Sequence, residues 1–202
     1  MTASQTTYKR GAALPGSNPF QRLADLLDGQ TPGLEPIMMT IGEPQHPIPD
    51  FTAEVLAENM ADFRRYPPIN GTPEFRSTIA DWLDKRYGLN GTIDPDFGVL
   101  PLNGSREGLS FGAIAARDQL DKDLDHPAVI LPNPFYQTYA AAAHVADGET
   151  VLLDAVSEHQ FLPDLDGLEP ELLDRTVAFY VASPTNPEGS VATLEYWQKL
   201  IG

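Results

Sequence analysis

The stretch TVAFYVASPTNPEG, residues 176–189, joins an apolar, β-branched run to a polar turn that two prolines restrict. Residues 176–182 predict a buried strand, and the turn follows directly at its carboxyl end. Pro184 and Pro187 fix their own φ angles and hold the preceding residues extended, so the Asn186 amide is presented at a set angle. Open α/β sheets bind ligands beyond the carboxyl ends of their strands. The stretch therefore predicts an α/β fold with a ligand-binding turn; for the turn alone, an ordinary Asn-Pro connection is an equal alternative.

Strand-like and helix-like runs alternate from residue 97 onward, which predicts βαβ units around a largely parallel sheet. The predicted strands cover residues 97–102, 128–131, 149–154 and 176–182, and the predicted helices cover residues 105–119, 135–146 and 193–201. Three further helices come before them: one from Ser17-Asn18-Pro19 to Gly29, one from Asp50 to about Asp62, and one from Thr72-Pro73 to Gly88. Residues 1–15 are polar and aperiodic, which predicts an arm or a poorly ordered terminus.

Composition narrows the class of protein. The 202 residues contain no cysteine, which excludes disulfides, thiolate zinc sites and cysteine nucleophiles, and the four histidines lack the spacing of metal ligands. Only 13 Lys and Arg stand against 29 Asp and Glu, so a nucleic-acid partner is not expected. No apolar run is long enough to cross a bilayer. We predict a cytoplasmic protein with no metal and no membrane contact.

A second polar turn, Leu102-Asn-Gly-Ser-Arg-Glu-Gly108, lies between a predicted strand and a predicted helix. Free N–H groups at a helix start bind phosphate, Gly104 allows close approach of the backbone, and Ser105 adds a hydroxyl. The alternative is that Ser105 only caps the helix, while Gly104, Gly108 and Gly112 let the helix pack closely on the sheet. The glycine spacing matches neither the dinucleotide motif nor the ATP-binding motif.

Aromatic residues mark two more loops. In Pro132-Asn-Pro-Phe-Tyr-Gln-Thr-Tyr139, the Tyr136 ring is placed to lie flat on a planar cofactor, whereas Phe135 and Tyr139 are better explained as core residues. Tyr66 begins a stiff, proline-rich loop from which its hydroxyl could reach a phosphate in its own or a neighbouring subunit. Taken alone, that loop would pass as a turn.

The order and approximate spacing of these motifs resemble the fold type I pyridoxal-phosphate aminotransferases of the aspartate aminotransferase class, over nearly the entire chain. The motifs that carry the resemblance are Gly42-Glu-Pro44, Tyr66-Pro with Gly71, Asn103-Gly-Ser105, Asn133-Pro-Phe-Tyr136 and Ser183-Pro-Thr-Asn-Pro187. Within the class, residues 41–47, 100–107, 131–136 and 161–164 look most like N-succinyl-diaminopimelate aminotransferases of lysine biosynthesis. The resemblance implies a three-layer large domain that begins at residue 50 and is incomplete at residue 202, with residues 1–49 as an arm and part of a smaller domain.

The resemblance also implies roles for single residues. Asn186 would hydrogen-bond the ring hydroxyl oxygen of pyridoxal phosphate, and Tyr136 would stack on its pyridine ring. Gly104, Ser105 and Arg106 would bind the phosphate largely through backbone N–H groups.

Two more roles follow from the same resemblance. Tyr66 would contribute its hydroxyl to the phosphate in the partner subunit, which implies a homodimer with a shared active site, and Gly42 would let the backbone approach the substrate carboxylate. The Asn186-Pro187 bond can be cis in such a fold.

The catalytic lysine is not among these residues. The family's Schiff-base lysine, its acidic partner for the pyridine nitrogen and its arginine for the substrate α-carboxylate all follow the Ser-Pro-Thr-Asn-Pro turn. None of Lys9, Lys85, Lys122 and Lys199 fits the nucleophile position. We therefore expect the lysine after Gly202, read the chain as the amino-terminal half of a longer polypeptide, and expect no transamination from this part alone.

Three functions remain open from the residues. The leading one is an aminotransferase that moves an amino group between an amino acid and a 2-oxo acid. The others are a non-catalytic sensor or interaction domain on the same fold, and a pyridoxal-phosphate-dependent lyase.

Overall fold

The computed structural model describes residues 5–8, 19–37, 39, 41–120 and 124–202, the first of these ranges by its backbone. The described residues fall into two compact units. The strand Gln5–Tyr8 groups with Leu102–Gly202, which we call the sheet unit, and residues 19–101 form the helical unit. The predicted domain boundary at residue 49 stays a prediction.

The helical unit is built from helices and the loops between them. Its helices are α1 (Pro19–Leu27), α2 (Phe51–Glu58), a short 3-10 helix (Met60–Arg64) and α3 (Pro73–Tyr87). The predicted limits of α3 are confirmed: the Thr72 hydroxyl accepts the N–H of Phe75, and Gly88 ends the helix with a φ of 65°.

Arg76, on α3, ties together two loops of the helical unit. Its guanidinium donates to the carbonyl oxygens of Asn70 at 3.2 Å, Gly71 at 2.7 Å and Pro95 at 3.0 Å, and it pairs with Asp96 at 2.6 Å. Only 11% of the Arg76 side chain is exposed. The loop that carries Tyr66 is therefore anchored at its far end, residues 70–71, by one side chain.

The sheet unit has four described strands in the order β1-β3-β2-β4. They are β1 (Gln5–Tyr8), β2 (Ala128–Asn133), β3 (Glu149–Asp154) and β4 (Thr176–Phe179). Strand β2 pairs in parallel with both β3 and β4, and β1 pairs antiparallel with β3. The described helices are α4 (Ser105–Gln119), α5 (Gln137–Val145), α6 (Pro170–Asp174) and α7 (Leu194–Ile201), with a 3-10 helix at Ser157–His159. The predicted, mostly parallel sheet is confirmed.

Strand β2 is the centre of the core, and its residues from Ala128 to Leu131 are fully buried. Alternate side chains point to opposite faces of a strand. Val129 and Leu131 accordingly pack with the alanines of α5, whereas Ala128 and Ile130 pack with Leu172 of α6. Helices cover both faces of the sheet, which confirms the predicted three-layer α/β architecture.

The structure lacks one predicted strand and contains one strand that the sequence does not predict. Residues 97–102 form no strand, although their composition is suitable, because a strand requires a hydrogen-bonded neighbour and the described sheet pairs none with them. Phe97 is 92% exposed and Leu100 is 65% exposed, as expected for a segment outside the core. Conversely, Gln5–Tyr8 lies within the predicted arm but forms β1, since the free edge of β3 supplies its backbone partners. The rest of this predicted arm, residues 1–4 and 9–15, lies outside the described ranges.

Replacing Arg76 by Lys is expected to loosen both loops that it ties together. Lysine keeps the charge but lacks the planar fork, so carbonyl groups of residues 70, 71 and 95 lose their donor, at a cost of about 1–3 kcal/mol. Hydrogen exchange of the Gly71 and Gly98 amides, both bonded inside these loops, should become faster. Arg86→Lys, an exposed change on the same helix, is the control and should leave both amides protected. Unchanged exchange in Arg76→Lys would contradict the assigned role.

Candidate functional site

The carboxyl edge of the sheet gathers the predicted ligand-binding segments of the sheet unit. Because β2 and β4 are parallel neighbours, the loops that follow them leave the sheet at the same edge. The loop after β2 carries Tyr136, and the loop after β4 carries Asn186. The start of α4 is held at this edge by two contacts: the Tyr180 hydroxyl donates to the Leu109 carbonyl at 2.6 Å, and Arg106 binds Tyr136.

The first turn of α4 leaves three backbone donors unused. The Asn103 N–H donates to a Glu107 carboxylate oxygen at 2.9 Å, and the N–H groups of Glu107 and Gly108 both donate to the Gly104 carbonyl. Within the described part of the chain, the N–H groups of Gly104, Ser105 and Arg106 have no acceptor. A helix start with free donors and the positive end of the helix dipole is a site for an anion such as phosphate.

Gly104 leaves open space beside these donors. Its φ of 177° is extended backbone that any residue can adopt, and a Cβ built on it would meet no atom within 4 Å. Neither conformation nor internal packing therefore requires glycine at this position. Close approach of a ligand to the backbone would explain a glycine at position 104.

Of the three glycines predicted to allow close packing on the sheet, only Gly108 has close neighbours, and these belong to Leu102, outside the sheet. A Cβ on Gly108 would lie 2.3 Å from Leu102 Cδ1, so this glycine lets Leu102 pack on the helix. A Cβ on Gly112 would meet nothing within 4 Å. The capping alternative for Ser105 is wrong, because Gly104 is the N-cap and Ser105 is the first helical residue.

Tyr136 is held by polar contacts rather than by burial. Arg106 Nε donates to the Tyr136 hydroxyl at 2.6 Å, and the guanidinium carbon lies 5.8 Å from the ring centroid. The residue is 39% exposed. Hydrogen bonding to the Thr138 hydroxyl, followed by that to Arg106, lowers the pKa of the Tyr136 phenol below its ordinary value of 10.0. An exposed aromatic face at the carboxyl edge can stack on a planar ring.

The neighbouring aromatics are structural. Phe135 and Tyr139 pack against the core cluster around Val129, as the sequence predicts. Tyr139 stacks on Tyr180 with ring centroids 4.5 Å apart, and it meets the edge of Tyr136 at 5.7 Å. Burial raises the pKa values of both the Tyr139 and the Tyr180 phenols.

The turn that carries Asn186 is braced by its hydroxyl residues. The Thr185 N–H donates to the Ser190 carbonyl at 2.8 Å, and the Thr185 hydroxyl accepts the Ser190 N–H at 2.9 Å. The Ser183 hydroxyl accepts the Ala192 N–H at 3.0 Å. Asn186 itself is exposed, and its amide has no partner among the described residues. The turn is thus fixed by other residues, and the Asn186 amide is free to bind a ligand.

Three X–Pro bonds at this edge are cis, namely Asn133-Pro134, Ser183-Pro184 and Asn186-Pro187. The cis form that the resemblance allowed for Asn186-Pro187 is confirmed.

Tyr66 and Gly42 lie in the helical unit. The Tyr66 side chain is fully exposed, and a Cβ built on Gly42 would meet nothing within 4 Å. The roles that the resemblance implies for them stay predictions.

Several residues that brace the candidate site are only weakly predictable from the sequence. The Asn103–Glu107 spacing is typical of a side chain that reaches back over a helix start, and the hydroxyls of Ser183 and Thr185 are typical of braced turns. The contact between Tyr180 and Leu109 spans 71 positions, and no local pattern predicts it.

In the part of the chain that the structure describes, no helix is long and apolar enough to cross a membrane. Among the same residues, no group of three or more His, Asp and Glu side chains is placed to hold a metal ion.

Curated relatives share most of this chain. An LL-diaminopimelate aminotransferase from Dehalococcoides mccartyi is 33% identical over 170 residues, which are 83% of this chain and 42% of that protein. The enzyme of the same name from Halothermothrix orenii is 32% identical over 171 residues, 84% of this chain and 42% of that protein. The chain thus spans about two fifths of the length of these curated relatives.

Solved structures agree with the sequence relatives. An aminotransferase from Neisseria meningitidis superposes with a TM-score of 0.80 at 35% identity, covering 92% of this chain and 47% of that one. The aminotransferase AspB from Helicobacter pylori has a TM-score of 0.80 at 27% identity and covers 93% of this chain and 48% of that one. The family model for aminotransferase class I and II matches residues 35–202. With the carboxyl-edge geometry described above, these matches show that the chain belongs to the class I and II aminotransferases, a family that depends on pyridoxal phosphate.

Proposed function

We propose that the complete polypeptide is a pyridoxal-phosphate-dependent aminotransferase, for which this chain supplies the residues that hold the cofactor. One observation carries the proposal above all. At the carboxyl edge of the sheet, the free N–H groups of Gly104, Ser105 and Arg106 lie on the helix turn that is hydrogen-bonded to Tyr136. A phosphate donor set next to an exposed aromatic ring fits a phosphorylated aromatic cofactor.

Each candidate cofactor-binding residue of the sheet unit then contacts one part of the cofactor. The N–H groups of Gly104, Ser105 and Arg106 bind the phosphate, the Tyr136 ring orients the pyridine ring, and the Asn186 amide donates to the ring hydroxyl oxygen. The bound cofactor supplies the electron sink for amino transfer, so the protein must orient and anchor it. The braced turn around Asn186 and the Arg106 contact to Tyr136 limit the movement of both side chains.

The partner subunit and the substrate belong to the same proposal. Tyr66 offers a fully exposed phenol that can reach a phosphate in a second copy of the chain, which makes the site dimeric. Gly42 presents open backbone for a substrate carboxylate. The Schiff-base lysine is expected outside this chain; among the described lysines, Lys199 is paired with Asp166. A cytoplasmic location is part of the proposal as well.

The amino donor is proposed to be a diaminopimelate. Two sequence relatives are named LL-diaminopimelate aminotransferase, at 33% and 32% identity. Several motifs of this chain, among them residues 100–107, resemble N-succinyl-diaminopimelate aminotransferases. Both donors carry the same amino acid skeleton, and the succinyl group on the far amine distinguishes them.

The direct test mixes the complete polypeptide with pyridoxal phosphate and measures cofactor retained after gel filtration, then glutamate formed from 2-oxoglutarate. We expect retention, and amino transfer from either LL-diaminopimelate or its N-succinyl derivative. The rate of glutamate formation with these donors is compared with the rate with alanine, an unrelated amino donor. Retention with release of the donor's ammonia or side chain, and no glutamate, would indicate a lyase. Failure to retain the cofactor would contradict the proposal and favour a sensor or interaction domain.

Replacing Gly104 by Ala tests the phosphate-binding turn separately from folding. The backbone of Gly104 suits any residue and its Cβ would meet no protein atom, so stability should change by less than about 1 kcal/mol. The methyl group would lie where the phosphate must approach, so affinity for pyridoxal phosphate should fall about tenfold to a hundredfold. Gly112→Ala is the matched control on the same helix, with equally open space, and should keep full affinity while stabilising the helix by about 0.5–1 kcal/mol. Equal affinity in the two variants would exclude this turn as the phosphate site.

A further inference from the structure

We propose that the side chain of Arg106 is a positioning residue, which holds the Tyr136 ring in register with the phosphate-binding turn of α4. The proposal rests on the proposed function, because it concerns how the same site is assembled. It adds a role for the Arg106 side chain toward Tyr136, whereas the family resemblance implies phosphate binding, largely through the backbone N–H.

Apart from Arg106, the Thr138 hydroxyl also hydrogen-bonds the Tyr136 phenol, and few other contacts constrain the ring. It directly precedes α5 and is 39% exposed, so core packing does not immobilise it. Its ring meets Tyr139 through an edge contact at 5.7 Å, which leaves freedom to tilt. The 2.6 Å bond from Arg106 Nε to the phenol fixes the far end of the side chain. Together with the covalent attachment at Cβ, this bond fixes the direction of the ring's long axis, and the edge contact with Tyr139 limits rotation about that axis.

Four side-chain contacts link Tyr136 back to α4 at both ends of the series. Arg106 binds Tyr136, Tyr136 meets Tyr139, and Tyr139 stacks on Tyr180 at 4.5 Å. The Tyr180 hydroxyl then donates to the carbonyl of Leu109 at 2.6 Å, within one helical turn of Arg106. The ring is thereby located relative to the start of α4 and not merely to the end of β2.

The charge of Arg106 is available for this contact. In the described part of the chain Arg106 forms no salt bridge, and the neighbouring carboxylate of Glu107 accepts the Asn103 N–H. The guanidinium carbon lies 5.8 Å from the Tyr136 ring centroid, within the range of a cation–π contact. Arg106 also contributes one of the three free N–H groups. A single residue therefore joins the anion donors to the aromatic ring.

The pKa of Tyr136 gives a readout that does not need the cofactor. The groups that lower the pKa of the Tyr136 phenol are the Thr138 hydroxyl and the Arg106 guanidinium, and the Tyr139 ring lies beside it. Donation and positive charge from Arg106 both favour the phenolate, so removing them should raise the pKa of Tyr136. A purely structural role for Arg106 away from the phenol would leave that pKa unchanged.

The test uses the complete polypeptide as Arg106→Gln, Tyr136→Phe and the double variant. Tyrosine ionisation is titrated spectrophotometrically without cofactor, and the curve of the matching Tyr136→Phe protein is subtracted to isolate the Tyr136 phenol. The pKa obtained in this way should be higher with Arg106→Gln than with Arg106. With pyridoxal phosphate, each single variant should weaken binding about threefold to tenfold, and the double variant should be no weaker than either single one. This non-additivity follows because both changes break the same contact.

Arg86→Gln is the matched control. Arg86 makes the same kind of contact elsewhere, with Nε 3.3 Å from the Tyr87 hydroxyl and its guanidinium carbon 5.5 Å from that ring. It should alter neither the Tyr136 titration nor cofactor binding. An unchanged Tyr136 pKa in Arg106→Gln, or additive losses of affinity in the double variant, would overturn the proposal. If the unsubstituted polypeptide retains no cofactor, the proposed function fails instead, and the titration still decides whether Arg106 holds Tyr136.

Discussion

The parallel pairing of β2 with both β3 and β4 is the constraint on which the rest of the sheet unit depends. Residues 128–131 can stand in the middle of the sheet because helices cover both of its faces, and they are fully buried there. Parallel order sends the chain out of β2 and β4 at the same edge. Tyr136 and Asn186, 50 positions apart in sequence, are therefore carried on loops that leave that edge together.

The start of α4 becomes useful only because it is held at this edge. Its free N–H groups would otherwise be bound by water, as at most helix starts. The Tyr180 hydroxyl and the Arg106 side chain connect the turn to the strand ends, and the Glu107 carboxylate binds the Asn103 N–H without occupying the next three donors. The arrangement leaves a donor set beside open space at Gly104. Anchoring and orientation of a cofactor thus arise from one connected group of contacts.

Local patterns in the sequence predict much of this structure. The limits of α3 follow from Thr72 and Gly88, and the buried strand at 128–131 follows from a continuous apolar run between turn residues. The roles of Phe135 and Tyr139 as core residues follow from the same reasoning. The order of the motifs along the chain indicates the family, because each polar turn by itself has an ordinary structural explanation whereas the complete series resembles one family.

What the sequence could not predict depends on distant partners. Residues 97–102 have strand composition but no paired neighbour in the described sheet, whereas Gln5–Tyr8 has polar residues and an available edge at β3. β-Pairing is decided by the neighbour more than by intrinsic preference. The contacts Arg106–Tyr136 and Tyr180–Leu109 span 30 and 71 positions, so no short motif encodes them.

The most direct test of the account is a crystal structure of the complete polypeptide with pyridoxal phosphate bound. It should show phosphate oxygens within hydrogen-bond distance of the backbone N–H groups of Gly104, Ser105 and Arg106. The Tyr136 ring should lie against the pyridine ring, and the Asn186 amide should donate to the ring hydroxyl oxygen. A phosphate bound elsewhere, with the N–H groups at the start of α4 hydrated, would contradict it.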